Sequence, residues 1–331
     1  MLRSRTALGG MITAPHHLAA QAGRDILRDG GNAVEAMIAA AASIAVVYPH
    51  MNAIGGDGFW LISEPGKDPV AIRACGGAAG LATPDFYREQ GKAAIPARGP
   101  LAALTVAGAI GGWIKAAEIA KGLGGTLPMA RLVADAVHHA KTGVPVTKSQ
   151  VELTQSKMPD LKGSPGFVDT YAANGVPAIG DVLKQPALGA TLAHLGKVGL
   201  DDFYRGDVAR SNANGLSAVG SPLRLSDFET YHAKVTTPLS VKFATGTVFN
   251  MVPPTQGAAS LMILGLFERL GVTSAEGFDH IHGLIEATKR AFLKRDAHIG
   301  DPDRMTIDPM DLLADAMLDA EAAKINMGTA L

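Results

Sequence analysis

One cysteine, Cys75, in 331 residues excludes an internal disulfide framework and fits a reducing compartment. Aromatic residues are scarce at 5%, while alanine and glycine are abundant, so the core must be built from small, closely packed elements. Neither sign of charge dominates: the net charge is -1, which gives no electrostatic case for a nucleic acid or an anionic membrane surface as partner. No run approaches the roughly 20 apolar residues of a membrane span. The longest, residues 36–47, is fenced by Asn32, Glu35 and Pro49. The first twenty residues, MLRSRTALGGMITAPHHLAA, begin basic but carry no apolar stretch of the secretory type, so a cytoplasmic location is expected.

What is present is concentrated in residues 30–60, GGNAVEAMIAAAASIAVVYPHMNAIGGDGFW. Asn32 is a good N-cap and Glu35 holds the capping-box position. The helix that follows is almost wholly apolar and should be buried on most sides until Pro49 stops it. Gly55, Gly56 and Gly58 then allow backbone to approach another group closely. Downstream, the turn PGKD at 65–68 predicts a hairpin, and residues 237–251 predict another around Gly246. Helices are expected at 83–90, 127–142, 256–270, 278–298 and 309–324, with Ile281, Ile285, Thr288 and Phe292 on one face of the fourth. Hairpins mixed with helices, without a linker or repeat, argue for one α+β domain over residues 1–331.

The chemistry legible from residue types alone is limited. Gly55-Gly56-Asp57-Gly58 precedes a strand, whereas nucleotide fingerprints follow one and open a helix, so nucleotide binding is set aside. The histidine pairs at 16/17, 138/139 and 280/282 lack the spacing and partners of a zinc site, so no metal is expected. Cys75 at a strand end reads as a small buried residue or as a nucleophile. Arg73, inside the apolar run VAIRAC, needs an anion: either an ion pair within the protein or a substrate carboxylate.

The order of segments resembles the large subunit of the γ-glutamyltranspeptidase family. The block at 30–60 is followed by ATPDFY at 82–87, TVAGAIGGW at 105–113, DDFYRGDVA at 201–209, LSDFETYHAKVTTPL at 225–239, MVPPTQGAASLMIL at 251–264 and IGDPDRM from Ile299. The resemblance implies an N-terminal nucleophile hydrolase, an αββα sandwich completed by a small β chain cut from the same precursor. Its nucleophile would be the threonine that begins that partner chain, since Met1-Leu2 cannot supply it. It implies no cofactor and a small-molecule amide as substrate, and leaves open whether αβ units pair into dimers. Counting back from Ala82-Thr83, the family's carboxylate-binding arginine corresponds to Cys75, and its following glutamate to Gly76. Arg73 lies two residues earlier on the same face of the strand. The wording VYPHM and GGDGFWL is similar to the amidohydrolase branch, which implies a small carboxylate-bearing amide of the oxamate type. Acyl transfer to an amine, as in glutathione-processing members, is the alternative. A non-catalytic binding role is a third. The residues expected to bind substrate are therefore Arg73, Cys75, His50, Gly55 and Gly56.

Overall fold

The computed structural model describes residue 4 and residues 6–331. Met1 and Leu2 lie outside the described residues, as does part of the basic start of the chain. The fold mixes helices and strands, in keeping with the α+β expectation. The chain forms two compact units, one of residues up to 58 with 74–234, the other of 59–73 with 235–331.

In the first unit, α1 (His17–Arg28) packs on α2 (Ala33–Val47). Small residues permit the close crossing: a methyl group at Gly23 would sit 2.8 Å from the Ala36 carbonyl oxygen. The capping box is present as the sequence predicts, with the Asn32 side chain accepting from Val34 and Glu35 amides and Glu35 Oε2 accepting from the Asn32 amide. Both side chains also reach further. Asn32 Nδ2 donates to the Ala120 carbonyl at 2.9 Å, near the end of α3 (Ala109–Gly122), and Glu35 Oε1 accepts from the Leu127 amide at 2.9 Å. Glu35 is thus buried with its acceptors used, which is the condition under which burial of a carboxylate is tolerated.

The helix expected at 127–142 is broken. A short turn at Met129–Leu132 is followed by α4 (Ala134–Thr142), with Val133 between them at φ -97°, ψ 0°. Val133 is buried, and Gly196 packs so closely that a methyl there would lie 2.8 Å from Val133 Cγ2. Further helices are α5 (Lys148–Leu161), capped by Thr147 accepting from the Gln150 amide, α6 (Pro186–Val198) and α7 (Asp207–Ala218).

In the second unit, β1 (Gly58–Ile62), β2 (Val70–Ala74) and β3 (Lys234–Thr236) form a sheet in that order, their end residues Gly58, Ala74 and Lys234 belonging to the first unit. The expected hairpin after Trp60 is therefore present. The second hairpin is β4 (Leu239–Phe243) with β5 (Gly246–Asn250), antiparallel with Val241 opposite Val248. α8 (Gly257–Arg269) and α9 (Phe278–His298) close the core over β4, through Leu239, Val241, Leu261, Met262, Leu266, Ala287 and Ala291. α9 buries its alanines and leaves Phe278, Ile281 and Ile285 exposed. The helix expected at 309–324 is interrupted at Ala314, which is extended (ψ 142°) between a turn at Asp311–Leu313 and α10 (Asp315–Ala322). The interruption lets Leu312 and Leu313 as well as Leu318 reach the interior. No helix among the described residues is long and apolar enough to cross a membrane.

One buried charge ties the last two helices together. Glu321 on α10 is 1% exposed and is held by Arg290, by Lys324 at 2.6 Å and by Lys294 at 3.2 Å. Burial alone would raise its pKa, but hydrogen bonds from Lys324, Arg290 and Lys294 outweigh it and hold the carboxyl at about 2. Because the folded value is depressed, the stabilisation is complete above the ordinary value of 4.5 and is lost as pH falls toward 2. Glu321→Gln should cost about 2–3 kcal/mol, since it leaves three cations around a neutral amide while two lysines keep solvent contact. Urea denaturation at pH 7 and pH 3 checks this, and the cost should be smaller at pH 3.

Candidate functional site

The loop after α2 is anchored by backbone. Tyr48 ends the helix and its carbonyl accepts from the Met51 and Asn52 amides, both at 3.1 Å. Six residues later the Gly56 carbonyl accepts from the Gly108 and Ala109 amides at 2.9 and 2.8 Å. These are the first amides of α3, whose N-cap, Gly108, has no side chain to satisfy them. The glycine loop is therefore the helix cap, and the positive end of the helix favours the carbonyl placed there.

Deeper in the same helix end, Tyr204 accepts from the Gly111 amide and donates to the Ala107 carbonyl, each at 2.8 Å. Burial pushes the Tyr204 phenol far above its ordinary pKa, so it stays a neutral donor and acceptor. Tyr231 stacks beside it, ring centroids 5.0 Å apart, and only a glycine at 111 leaves room: a methyl would lie 2.8 Å from Tyr231 Cε1.

Two further glycines lock the loop to the end of β2. A methyl at Gly108 would sit 2.1 Å from the Ala74 carbonyl oxygen, and one at Gly76 would sit 2.0 Å from that of Val106. The Gly76 amide also donates to the Asp57 carboxyl; partial burial raises the Asp57 pKa and this bond opposes the rise. Gly55, Gly56 and Cys75 are thereby brought into one backbone frame.

The close approach expected at the loop glycines is found elsewhere. Within the described residues nothing lies within 4 Å of a methyl built at Gly55, and at Gly56 the nearest atom is the Ala53 carbonyl oxygen at an ordinary 3.5 Å. Gly76, Gly108 and Gly111 carry the tight contacts. The TVAGAIGGW run was their visible signal, but its tyrosine partners arrive about 90 and 120 residues later.

His50 is not part of the frame. Its Nε2 lies 3.0 Å from Ser149 Oγ, which is itself 3.1 Å from Thr147 Oγ1, and its ring packs 4.1 Å from Tyr48. Burial lowers its pKa, so the imidazole is neutral at pH 7. Ser149 was not singled out in the sequence. The grouping of His194, Asp202 and Asp207 is the one set of metal-type side chains that converges among the described residues. Its central carboxylate already accepts from the Asp207 and Val208 amides and sits 3.2 Å from His194, and so serves to cap α7.

Arg73 belongs to the second unit. It is half-buried on β2, and its one hydrogen bond is a long contact from Nη1 to the Pro253 carbonyl at 3.4 Å. Among the described residues no carboxylate forms an ion pair with it. It lines a cavity of about 490 Å³ together with Thr237, Ser240, Met305, Asp308 and Met310. Asp308 is engaged locally, accepting from the Met310 amide. Of the two readings left open for Arg73, an internal ion pair is absent; its remaining donors face a cavity of small-molecule size.

A family model described as gamma-glutamyltranspeptidase matches residues 19–331. The chain is 48% identical over its whole length to the oxamate amidohydrolase proenzyme of Klebsiella pneumoniae, of which it spans 62%. It is 34% identical over 92% of its length to a glutathione hydrolase-like proenzyme of Bacillus subtilis, of which it spans 58%. Among solved structures, it superposes on the gamma-glutamyltranspeptidase of Pseudomonas nitroreducens with a TM-score of 0.89 at 28% identity, covering 98% of this chain and 97% of that one. A cephalosporin acylase of Bacillus halodurans gives 0.85 at 28% identity, over 93% of this chain and 58% of that one.

The frame predicts a contrast between glycines. Gly108→Ala should destabilise by about 1–3 kcal/mol, the usual cost of overpacking against a fixed carbonyl. Gly55→Ala, with open space around it, should change stability by less than about 0.5 kcal/mol. Chemical denaturation of both variants measures this. Arg73→Ala should likewise cost no more than about 1 kcal/mol, because the guanidinium has so few partners to lose.

Proposed function

The chain belongs to the γ-glutamyltranspeptidase family, and from that premise we propose that it is the large part of an amidohydrolase acting on a small, carboxylate-bearing amide of the oxamate type. The observation that carries the substrate class is Arg73, whose guanidinium lines a cavity without a carboxylate partner among the described residues. A planar fork of donors suits a carboxylate in bidentate fashion, and a fixed arginine selects the length of the molecule whose other end reacts. The 48% identity to an oxamate amidohydrolase proenzyme supports the same class. The position matching the family's usual arginine holds Cys75, which cannot make that clamp.

In this reading the nucleophile is a threonine at the start of a second polypeptide released from the same precursor. The remaining 38% of the length of the Klebsiella relative, and its description as a proenzyme, support that arrangement. So does the surface of α9, where Phe278, Ile281 and Ile285 are 71%, 51% and 49% exposed along one stripe. Such a contiguous apolar stripe marks a surface that another polypeptide covers. The second chain would complete the αββα sandwich.

The reaction follows the nucleophile-plus-base logic. The threonine hydroxyl adds to the amide carbon while the free amino group of the same residue takes its proton. The C–N bond breaks, the departing nitrogen receives that proton and leaves as ammonia, and an ester joins the acyl group to the enzyme. Water then adds to the ester carbon and releases the acid. Arg73 holds the substrate's carboxylate throughout, so the scissile carbonyl is presented in one orientation.

The protein expressed from its complete gene should yield two polypeptides by intact mass, the smaller beginning with threonine. It should release ammonia from oxamate faster than it cleaves a γ-glutamyl anilide, and glycylglycine should not accelerate the latter. Fast, acceptor-stimulated γ-glutamyl turnover would instead assign the protein to acyl transfer.

A further inference from the structure

His50 opens onto a second cavity, wholly within the first unit. Its volume is about 400 Å³, within the range of small-molecule sites. One wall is a single face of α5, where Leu153, Lys157 and Leu161 recur at helical spacing; Phe167, Arg98 and the loop at Pro49 to Met51 supply the rest. The lining is largely apolar, yet its only ionised groups are two cations, Arg98 and Lys157, and no aspartate or glutamate lines it.

Neither cation is committed. Lys157 has no ion pair with a carboxylate among the described residues. Arg98 lies 3.4 Å from Asp160, but with these side chains 42% and 55% exposed the pair is worth little and is readily exchanged. Two like charges over an apolar chamber repel each other and disfavour a cationic guest. A neutral hydrocarbon would leave both unpaired. A guest with an apolar body and one negative end satisfies the wall completely. His50 adds one polar atom: its Nδ1 is shielded from solvent and has no hydrogen-bond partner in the protein, while Ser149 holds the ring through Nε2.

We propose that this cavity binds an amphipathic organic anion, an aromatic or branched aliphatic carboxylate whose body packs on Leu153, Leu161 and Phe167 and whose carboxylate meets Arg98 and Lys157. The site is independent of the reaction proposed for the family fold, since Arg73 does not line it.

The probe is phenylacetate, titrated calorimetrically into the full-length protein, beside 2-phenylethanol, which has the body without the charge, and acetate, which has the charge without the body. Phenylacetate should bind once per chain, and each partial probe at least about tenfold more weakly, the scale of one charge-assisted contact or one buried ring. Leu153→Trp, which fills the chamber, should abolish binding. Arg98→Gln combined with Lys157→Gln should weaken it at least about tenfold. Arg73→Ala should leave it unchanged, and circular dichroism should show each variant folded. The proposal is overturned by no binding of phenylacetate, by equal binding of the alcohol, by binding that survives Leu153→Trp, or by loss of binding on Arg73→Ala.

Discussion

The Gly56 carbonyl capping α3 is the contact on which the arrangement of the first unit depends. A helix that starts with Gly108 has no side chain to receive its first amides, and a loop with two glycines has no side chain to hold it in place. Each solves the problem of the other through two hydrogen bonds of 2.8 and 2.9 Å. Once that contact is made, the glycines at 76 and 108 allow the end of β2 to press backbone against backbone, and the Tyr204–Tyr231 pair finishes the helix end from the far side. Individually these bonds are worth about 1 kcal/mol, but leaving any of the buried amides unpaired would cost more.

Two buried or half-buried charges in the second unit show how stability and function divide. Glu321 is saturated: three cations surround it, and its carboxyl is held at about 2. Arg73 is not, with a single long contact to a carbonyl and a cavity in front of it. A charge whose partners are all internal stabilises the fold. One whose donors point into open volume selects what enters that volume.

Much of this was legible in the sequence. The capping box at Asn32 and Glu35, the buried α2, both hairpins and the long α9 follow from local patterns, because the forces that set them act within a few residues. The breaks at Val133 and Ala314 did not, since both arise from tertiary packing that outweighs helical propensity. The outward face of α9 was hidden for a related reason: periodicity shows that a face is apolar, not whether this chain covers it. Grouping Arg73 with His50, Cys75 and the loop glycines followed the family motif order. In the molecule Gly55, Gly56 and Cys75 share a frame, whereas His50 and Arg73 line separate cavities in different units.

The central claim is that Arg73 reads the carboxylate of a small amide. It is tested most directly by the ratio of kcat/KM for oxamate to that for oxamide, its uncharged counterpart, in the wild-type protein and in Arg73→Ala. The account predicts a wild-type ratio of about 100 or more, the discrimination a directed charged hydrogen-bond pair supplies, falling toward unity in the variant mainly through KM. A ratio unchanged by the substitution would contradict it.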